Sequence, residues 1–403
     1  MAKPKVAVIG AGPAGLMAAE TLARAGASVT IFDKMANPGR KFLLAGRGGL
    51  NLTHSEPLPK LLDRFGAANE RLKPAIEAFP PEAVIAWCEG LGEATFVGSS
   101  GRVFPKSLKA SPLLRAWLVR LGQLGVMLDG QTQWADLTET GDLLFKSRTG
   151  TDQRHRADAV LLALGGASWP RLGADGGWVP VLAGRGVRVV PLAPANCGVQ
   201  VAWSPIMTGK FAGEPLKRIA LTVGGQRIRG EAVITERGLE GGAVYQLVPE
   251  IRDQLASLGT CAIELDLRPD MTPAELTQLL AGPLRKQTLT NHLRKAAGLS
   301  PVAIAVLREV HGTALPRDPT DLARCIKHLS LSVIGLEPIA RAISTAGGIA
   351  WEELDSNFML KKLPGVFAAG EMLDWEAPTG GYLLQACFST GVAAAKGVLG
   401  YLA

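Results

Sequence analysis

Three glycines and one carboxylate near the start of the chain stand out because of their spacing. Gly10, Gly12 and Gly15 form the pattern G-x-G-x-x-G, and Asp33 follows the last of them by 18 residues. The first glycine permits a tight turn, the second lets the backbone approach a pyrophosphate, and the third lets a helix pack on a strand. The carboxylate can accept hydrogen bonds from ribose hydroxyl groups. The spacing therefore predicts a dinucleotide-binding turn.

The elements around these residues are those that such a turn requires. Lys5–Ile9 is almost entirely apolar and β-branched, which predicts a buried strand, and Ser28–Phe32 predicts a second strand that ends at Asp33. Between them, Leu16–Ala25 has apolar residues at helical spacing, and the start of this helix presents N–H groups and a positive dipole to phosphate. The alternative is a glycine-rich turn without a ligand. The acid after the second strand favours FAD or NAD over NADP.

A second pattern of strand, glycine and acid occurs near the other end of the chain. Val366–Ala369 predicts a short buried strand, Gly370-Glu371 follow it, and Thr379-Gly380-Gly381 precede a helix predicted from about Leu383 to Val398. A carboxylate after a strand can hydrogen-bond a ribityl chain. The N–H groups at a helix start stabilise the negative charge of a reduced flavin ring. Together the two patterns predict FAD, whereas Glu371 taken alone fits a solvated loop carboxylate equally well.

The composition predicts a folded, soluble protein with two or three domains. The chain has 403 residues, of which 47% are hydrophobic and 20% are charged, which excludes a disordered chain. No run of 18 uninterrupted apolar residues occurs, so we expect no membrane span and a cytoplasmic protein. The five cysteines are isolated, without a C-x-x-C pair, and the five histidines lack ligand spacing. We therefore expect neither disulfides nor a metal site.

The order of predicted elements indicates an α/β protein with a discontinuous, Rossmann-like FAD-binding domain. Residues 1–193 and 335–403 are expected to form this domain, and residues 194–334 an inserted substrate domain with β-barrel-like strands followed by helices. The terminal parts also contain a predicted strand, Ala159–Leu164, and predicted helices, Glu77–Gly90 and Ser111–Gly122. The strands predicted for the insertion are Leu216–Val223, Gly230–Thr235 and Cys261–Leu267, and its predicted helices are Thr272–Leu280, Leu284–Ala297, Pro301–Val310 and Asp321–Leu329.

Four stretches together resemble the BaiN/RdsA (YhiN-like) family of FAD-dependent oxidoreductases. They are GRKFLLAGRGGLNLTHS, GRVFPKS, LLALGGASWPRLGADG and STAGGIAWEELDSNFMLKKLPGVFAAGEMLDWEAPTGGYLLQACFSTG. The resemblance extends over almost the whole chain and implies a two-dinucleotide-type FAD fold with inserted β and helical portions. It also implies an NAD(P)H-linked reductase. The activities attached to the family are reduction of conjugated C=C bonds in bile-acid intermediates and formation of dihydrouridine in ribosomal RNA.

The resemblance further implies that the loop after Asp33 runs back along the cofactor to the flavin. Its basic groups would neutralise the pyrophosphate, its glycine N–H groups would approach closely, and Asn51 and Thr53 would hydrogen-bond near the isoalloxazine ring. The residues expected to act in this way are Arg40, Lys41, Arg47, Gly48, Gly49, Asn51 and Thr53. The other expected cofactor-binding residues are Gly10, Gly12, Pro13, Ala14, Gly15, Asp33, Lys34, Trp134, Gly165, Gly370, Glu371, Thr379, Gly380, Gly381, Tyr382 and Leu383.

Two departures bear on the mechanism. Many family members have Gly-Gly-Gly-Arg-Cys-Asn where this chain has Gly46-Arg47-Gly48-Gly49-Leu50-Asn51, so an acid supplied by that cysteine would be missing here. Only one complete G-x-G-x-x-G is present, so NADH or NADPH would bind transiently over the flavin rather than in a domain of its own. The expected chemistry is hydride transfer through flavin N5. Tyr382, His54 and Glu376 are near the flavin motifs, and we expect them to be structural or cofactor-contacting.

The charge distribution leaves a choice of partner. The net charge is +7, and the segment 281–330 contains eight Lys and Arg against three Asp and Glu. Such a segment is either a solvated helical face or a surface that meets RNA phosphates, and its lack of Phe, Tyr and Trp weakens the RNA interpretation. The preferred function is reduction of an activated C=C bond of a small molecule. The alternatives are a ribosomal RNA dihydrouridine synthase and a flavin-binding protein without turnover.

Overall fold

The computed structural model describes residues 2–46, 48–146, 152–282, 288–312 and 315–403. They form two compact units: unit 1 is Met1–Ala193 with Ser344–Ala403, and unit 2 is Pro194–Ile343. Unit 1 therefore combines both ends of the chain. The boundary expected after residue 334 is too early, because Gly335–Leu336 forms a strand that pairs with Val199–Gln200 within unit 2.

A five-stranded parallel sheet forms the centre of unit 1. Its inner strands are buried on both faces, which explains their unbroken apolar runs. In spatial order the strands are Val366–Ala368, Ala159–Leu162, Lys5–Ile9, Ser28–Asp33 and Met127–Gly130. A strand from the last part of the chain thus completes a sheet that begins at the first. All carboxyl ends meet at one edge, where open α/β sheets bind their ligands.

Two long helices contact each other on this sheet, Pro13–Arg24 and Tyr382–Leu402. Their approach is close, since a Cβ on Gly391 would lie 2.5 Å from the carbonyl oxygen of Ala14. Among the described residues, Tyr382–Leu402 is the one helix whose length and composition would suit a membrane span, but its packing is that of a core helix. The other helices of unit 1 are Arg40–Ala45, Leu58–Asp63, Asn69–Ala78, Pro81–Glu89, Ala110–Gln123 and Trp178–Gly184, with short 3₁₀ helices at Gly66–Ala68, Pro170–Leu172, Trp351–Glu353 and Gly370–Met372.

The helix predicted over Glu77–Gly90 is wrong as a single element. The structure has two helices, Asn69–Ala78 and Pro81–Glu89, which are separated at the Pro80-Pro81 pair. A proline disfavours helical backbone in the residue before it and lacks the N–H that would continue the helix. The second proline instead occupies the first helical position, where no N–H is required.

Three smaller sheets accompany the main sheet of unit 1. Two of them are three-stranded and antiparallel, and one pairs two strands. In spatial order the strands are Thr53–His54, Arg102–Pro105 and Thr95–Val97; Gln133–Leu137, Leu143–Lys146 and Asp152–His155; and Val189–Ala195 with Ser344–Ile349.

Unit 2 has its own core, built on a seven-stranded antiparallel sheet. In spatial order the strands are Leu329–Val333, Cys261–Asp266, Pro215–Val223, Gln226–Ile234, Gly238–Glu240, Val199–Gln200 and Gly335–Leu336. The helices are Pro205–Phe211, Gly242–Tyr245, Val248–Leu258, Pro273–Leu280, Leu289–Ala296, Pro301–His311 and Pro319–Lys327, with a 3₁₀ helix at Ile339–Arg341.

Local sequence explains where several helices of unit 2 begin. Ser204, Thr272, Ser300 and Asp318 each accept a hydrogen bond from the first helical turn, and a proline follows each of them. Thr288 caps Leu289–Ala296 in the same way. The predicted helix Leu284–Ala297 began earlier, but residues 284–287 lie outside the described residues.

Candidate functional site

The glycine turn after the first strand has the close contacts that its sequence predicts. Gly10 has a φ of +105°, and a Cβ there would lie 2.3 Å from the carbonyl oxygen of Ala163. A Cβ on Gly15 would lie 1.9 Å from the carbonyl oxygen of Gly10. Gly12 differs, because no heavy atom lies within 4 Å of a Cβ built on it, and it precedes the helix start at Pro13 without a side-chain cap. The N–H groups of this helix start are therefore left for a phosphate.

Asp33, at the end of the second strand, fixes the same turn. Its Oδ2 accepts a hydrogen bond from the N–H of Ala11 at 2.7 Å, and its Oδ1 accepts one from the N–H of Met35 at 2.7 Å. Burial raises the pKa of Asp33, and these two hydrogen bonds oppose the rise. Each carboxylate oxygen keeps acceptor capacity, so a ribose hydroxyl group can still bind it.

One cavity of unit 1 brings together predicted residues from both ends of the chain. It lies at the carboxyl edge of the parallel sheet, between the glycine turn and the segment that follows the last strand. The predicted residues that line it are Gly10, Gly12, Pro13, Ala14, Asp33, Lys34, Arg40, Lys41, Trp134, Gly165, Gly370 and Glu371. The described residues that were predicted but do not line it are Gly15, Gly48, Gly49, Asn51, Thr53, Thr379, Gly380, Gly381, Tyr382 and Leu383. Arg47 lies outside the described residues.

Glu371 is paired within the cavity wall. Its Oε2 lies 2.7 Å and its Oε1 3.0 Å from Lys41 Nζ, and Oε1 also accepts a hydrogen bond from the N–H of Thr345 at 3.1 Å. Lys41 Nζ in turn donates to Ser168 Oγ. The carboxylate therefore connects two wall residues from opposite ends of the chain, Lys41 and Glu371, and also binds the backbone of Thr345, contacts that were not predicted from the sequence. Its expected contact with a ribityl chain would be in addition to these bonds.

The loops expected at the flavin end contact each other. Gly381 has a φ of +107°, and a Cβ on it would lie 2.4 Å from the carbonyl oxygen of Thr53. Thr53 is fully buried and donates from Oγ1 to Gln385 Oε1 at 2.6 Å. Gly380 is also close to the sheet that contains Thr53. A Cβ built on Gly380 would lie 3.4 Å from Nε of Arg102, which is in the strand that pairs with Thr53–His54. The residues around 53 and 380 are thus brought together although they are far apart in sequence.

Leu50, at the site of the family cysteine, belongs to the core. Its side chain is fully buried, and its N–H donates to the carbonyl oxygen of Leu108 at 3.1 Å. Gly49 beside it has a φ of +104°, which favours glycine. At Gly48 an added Cβ would meet no heavy atom within 4 Å. Position 50 is therefore used for packing in this chain, and it presents no acid to a substrate.

Tyr382 forms a network with residues of the early loop. Its hydroxyl donates to Glu56 Oε1 at 2.6 Å, and its ring stacks on that of His54 with centroids 5.2 Å apart. Arg64 binds both oxygens of Glu56, at 3.1 and 2.9 Å. Burial raises the pKa of Tyr382, and the bond to Glu56 raises it further. Burial also acts to raise the pKa of Glu56, but hydrogen bonds from Arg64 and Tyr382 outweigh it and lower that pKa.

Several residues of the cavity wall were not predicted from the sequence. Asp175 forms an ion pair with Lys34 at 2.5 Å, and Trp178 donates from Nε1 to the carbonyl oxygen of Gly165 at 2.8 Å. Asp175 lies within one of the stretches that carry the family resemblance, so a signal for it was present. Cys387 also lies within such a stretch, whereas Met35, Asn37, Thr132 and Gln133, which line the cavity too, lie outside all of them. Burial raises the pKa of Cys387 to about 12, so this thiol stays protonated at neutral pH.

Two buried polar atoms near these motifs have no hydrogen-bond partner: Trp134 Nε1 and Asn51 Oδ1. Burying such an atom without a partner is unfavourable, and since Trp134 lines the cavity, its N–H indicates a ligand acceptor there. Together with the open space at Gly12 and the basic Arg40 and Lys41, the free N–H of Trp134 fits an anionic dinucleotide. Among the described residues, no group of three His, Cys, Asp or Glu side chains is arranged to hold a metal ion.

Comparison with known proteins gives full-length matches. The model of the HI0933-like protein Rossmann domain matches residues 4–397. A 3-dehydro-bile acid delta(4,6)-reductase of Clostridium scindens is 25% identical over 410 residues, which cover 97% of this chain and 98% of the relative. A ribosomal RNA dihydrouridine synthase of Haemophilus influenzae is 25% identical over 400 residues, which cover 97% of each chain.

Solved structures share the fold at low sequence identity. A 3-ketosteroid delta1-dehydrogenase from Sterolibacterium denitrificans is 15% identical, with a TM-score of 0.57 over 99% of this chain and 100% of that one. A 3-ketosteroid-delta4-(5alpha)-dehydrogenase from Rhodococcus jostii is 17% identical, with a TM-score of 0.52 over 99% and 97%. These similarities concern the fold alone, and they confirm the predicted α/β fold class.

Proposed function

This chain belongs to the HI0933-like family of Rossmann-domain proteins, as its motifs predicted, and we propose that it is an FAD-dependent oxidoreductase that reduces an activated C=C bond of a small molecule. The observation that carries the proposal is the cavity in which the glycine turn, Asp33 and Gly370-Glu371 meet. The full-length similarity to a 3-dehydro-bile acid delta(4,6)-reductase supports a conjugated C=C bond as the reacting group.

The residues of the chain bind and orient the cofactor in this proposal. Gly12 leaves room for the pyrophosphate at the helix start, and Asp33 accepts hydrogen bonds from a ribose. Arg40 and Lys41 supply positive charge at the cavity wall. The helix start at Tyr382 directs N–H groups to the flavin end. When bound, FAD supplies hydride transfer, and the protein supplies orientation and a site from which water is partly excluded.

The first test concerns the cofactor and its turnover. The purified protein should release FAD on denaturation, and after photoreduction it should be reoxidised anaerobically by an α,β-unsaturated steroid ketone, with the saturated ketone as product. A protein that binds no FAD when FAD is supplied would contradict the proposal. A protein that binds FAD but is reoxidised by no such ketone would instead support a flavoprotein without turnover on small molecules.

The electron donor in this proposal is NADH or NADPH, bound only transiently. The chain has one complete G-x-G-x-x-G, and the cavity described above accounts for it. Anaerobic mixing with each nucleotide should therefore bleach the flavin, with a rate that saturates weakly as the nucleotide concentration rises. If neither nucleotide bleaches the flavin, the electrons come from another donor.

Dihydrouridine formation in ribosomal RNA is the second candidate. The full-length similarity to a ribosomal RNA dihydrouridine synthase favours it, as do the exposed Arg294 and Lys295 on one helix of unit 2. Lys327 weakens it, because this side chain is buried and paired with Asp266 at 2.8 Å. Arg285 and Lys286 lie outside the described residues. The basic segment 281–330 therefore exposes less positive charge than its composition predicts.

A further inference from the structure

Trp134 lies in the cavity wall with an unused hydrogen-bond donor. Its side chain is 7% exposed, and its Nε1 has no hydrogen-bond partner. An indole N–H can only donate, so the missing partner must be an acceptor. Leaving such a donor buried and unpaired destabilises the protein without ligand. A second tryptophan of the same wall, Trp178, has its N–H satisfied by the carbonyl oxygen of Gly165 at 2.8 Å.

The backbone next to Trp134 is tied to the strand that ends at the ribose acid. The N–H of Thr132 donates to the carbonyl oxygen of Asp33 at 3.0 Å, which ties the start of the strand Gln133–Leu137 to the end of Asp33's strand. The pairing register then shifts between Trp134 and Asp136. Such a bulge re-aims the neighbouring side chains, and bulges recur beside binding sites. Trp134 is therefore held beside Asp33 in the cavity wall.

We propose that Trp134 Nε1 donates a hydrogen bond to the adenosine half of the cofactor and thereby helps to select an adenine dinucleotide. This inference rests on the proposed FAD-dependent function, and it adds the atom and the half of the ligand that are recognised. The pyrophosphate binds at the glycine turn and the ribose at Asp33, so the group beyond the ribose is the adenine. Its ring nitrogens are acceptors, which is the chemistry that the unpaired N–H requires.

One substitution should leave the stability of the apoprotein intact while it lowers the affinity for FAD. Trp134→Phe removes an unsatisfied donor, so the protein without FAD should be at least as stable as the wild type. The same change removes a bond to the ligand, so FAD should bind about threefold to tenfold more weakly, the effect of one hydrogen bond. A tryptophan that only packs would not produce this combination, because its truncation would lower the stability of the apoprotein.

The experiment measures FAD, ADP and FMN binding by calorimetry, and thermal unfolding of the apoprotein, for the wild type, Trp134→Phe and Trp178→Phe. Trp134→Phe should weaken FAD and ADP by the same factor and leave FMN binding unchanged. Trp178→Phe, the matched control, should lower apoprotein stability because the Gly165 carbonyl loses its donor. Unchanged FAD and ADP affinities in Trp134→Phe would overturn the inference, as would an effect on FMN. A wild type that binds no FAD would overturn the proposed function itself.

Discussion

Glu371 shows how one side chain can serve the cofactor site through its neighbours. It joins Lys41 to the N–H of Thr345, and its side chain is 13% exposed. Glu371→Gln keeps the shape but places an amide against the lysine. Losing the charge-assisted bond should weaken FAD binding by about 1.5–3 kcal/mol, because Lys41 is then held by its bond to Ser168 Oγ and no longer by a carboxylate. Titration of the apoprotein with FAD measures this change.

The matched control for that prediction is Asp374→Asn. Asp374 is also a partly buried acid in the same loop, and burial raises its pKa, but it does not line the cavity. Its substitution should leave the FAD dissociation constant unchanged. Equal affinities in the two variants would show that Glu371 has no part in cofactor binding.

The hydrogen bond between Tyr382 and Glu56 should make the stability of the protein depend on pH. Tyr382→Phe should lower the free energy of unfolding by about 1.5–3 kcal/mol at neutral pH, since it removes a donor to a carboxylate. The pKa of Glu56 is lowered by folding, so stability due to its charge is present above the unfolded pKa of 4.5 and is lost as the pH falls through the folded pKa. The stability difference between Tyr382→Phe and the wild type should therefore narrow below pH 4.5.

Urea unfolding at a series of pH values tests that prediction, with Tyr401→Phe as the control. Tyr401 is 49% exposed and contacts the ring of Phe367 edge-on. Its substitution should cost little at every pH. The difference in unfolding free energy between the wild type and Tyr382→Phe could instead stay constant as Glu56 becomes protonated. That result would mean that the hydroxyl contributes through packing alone.

Two glycines at the start of the helix Pro13–Arg24 should affect different properties, one the stability of the protein and the other FAD binding. Gly15→Ala would place a Cβ 1.9 Å from the carbonyl oxygen of Gly10, so helix and turn must move apart and the protein should lose stability, by about 1–3 kcal/mol. Gly12→Ala meets open space, and its φ of −82° suits any residue. This variant should keep its stability but bind FAD at least tenfold more weakly, because its Cβ occupies the pyrophosphate position.

Thermal unfolding of each apoprotein and FAD titration measure the two effects separately. Normal FAD affinity in Gly12→Ala would show that no ligand approaches the turn at that residue. The pair of variants thus tests the interpretation of the first motif at the level of one helix and its turn.

Whether the substrate is a small molecule or RNA can be tested by comparing residues of the two units. If RNA binds unit 2, replacing Arg294 and Lys295 with glutamine should weaken binding and reduce the slope of log affinity against log salt by about 0.7–0.9 for each lost phosphate contact. FAD content should not change, because both residues are in unit 2 and the cofactor cavity is lined by unit 1. Filter binding of ribosomal RNA at several salt concentrations measures the slope.

Lys60→Gln with Arg71→Gln is the matched control, since both residues are exposed cations of unit 1. An equal loss from this pair would indicate general attraction of a basic protein for a polyanion. If the wild type itself shows no salt-sensitive RNA binding, the small-molecule reductase is the better account of the chain.

The sequence by itself determined the local elements and the first half of the cofactor site. Gly10 and Gly15 are recognisable because each has a close backbone contact that leaves no room for a Cβ, and Gly12 because a pyrophosphate is expected to approach its backbone. Unbroken apolar runs identified the strands of a buried parallel sheet for the same local reason. The two prolines at Pro80-Pro81 carried an equally local signal, which places a helix boundary there.

Only the tertiary structure decided which distant residues meet. The pairing of Val366–Ala368 with Ala159–Leu162 brings Glu371 to Lys41, and the contact of Gly381 with Thr53 joins two other loops. Spacing in sequence gives no information on such contacts, because they depend on strand order and on the packing of helices from both chain ends. The unsatisfied N–H of Trp134 is of the same kind, since a donor lacks a partner only once the surrounding atoms are in place.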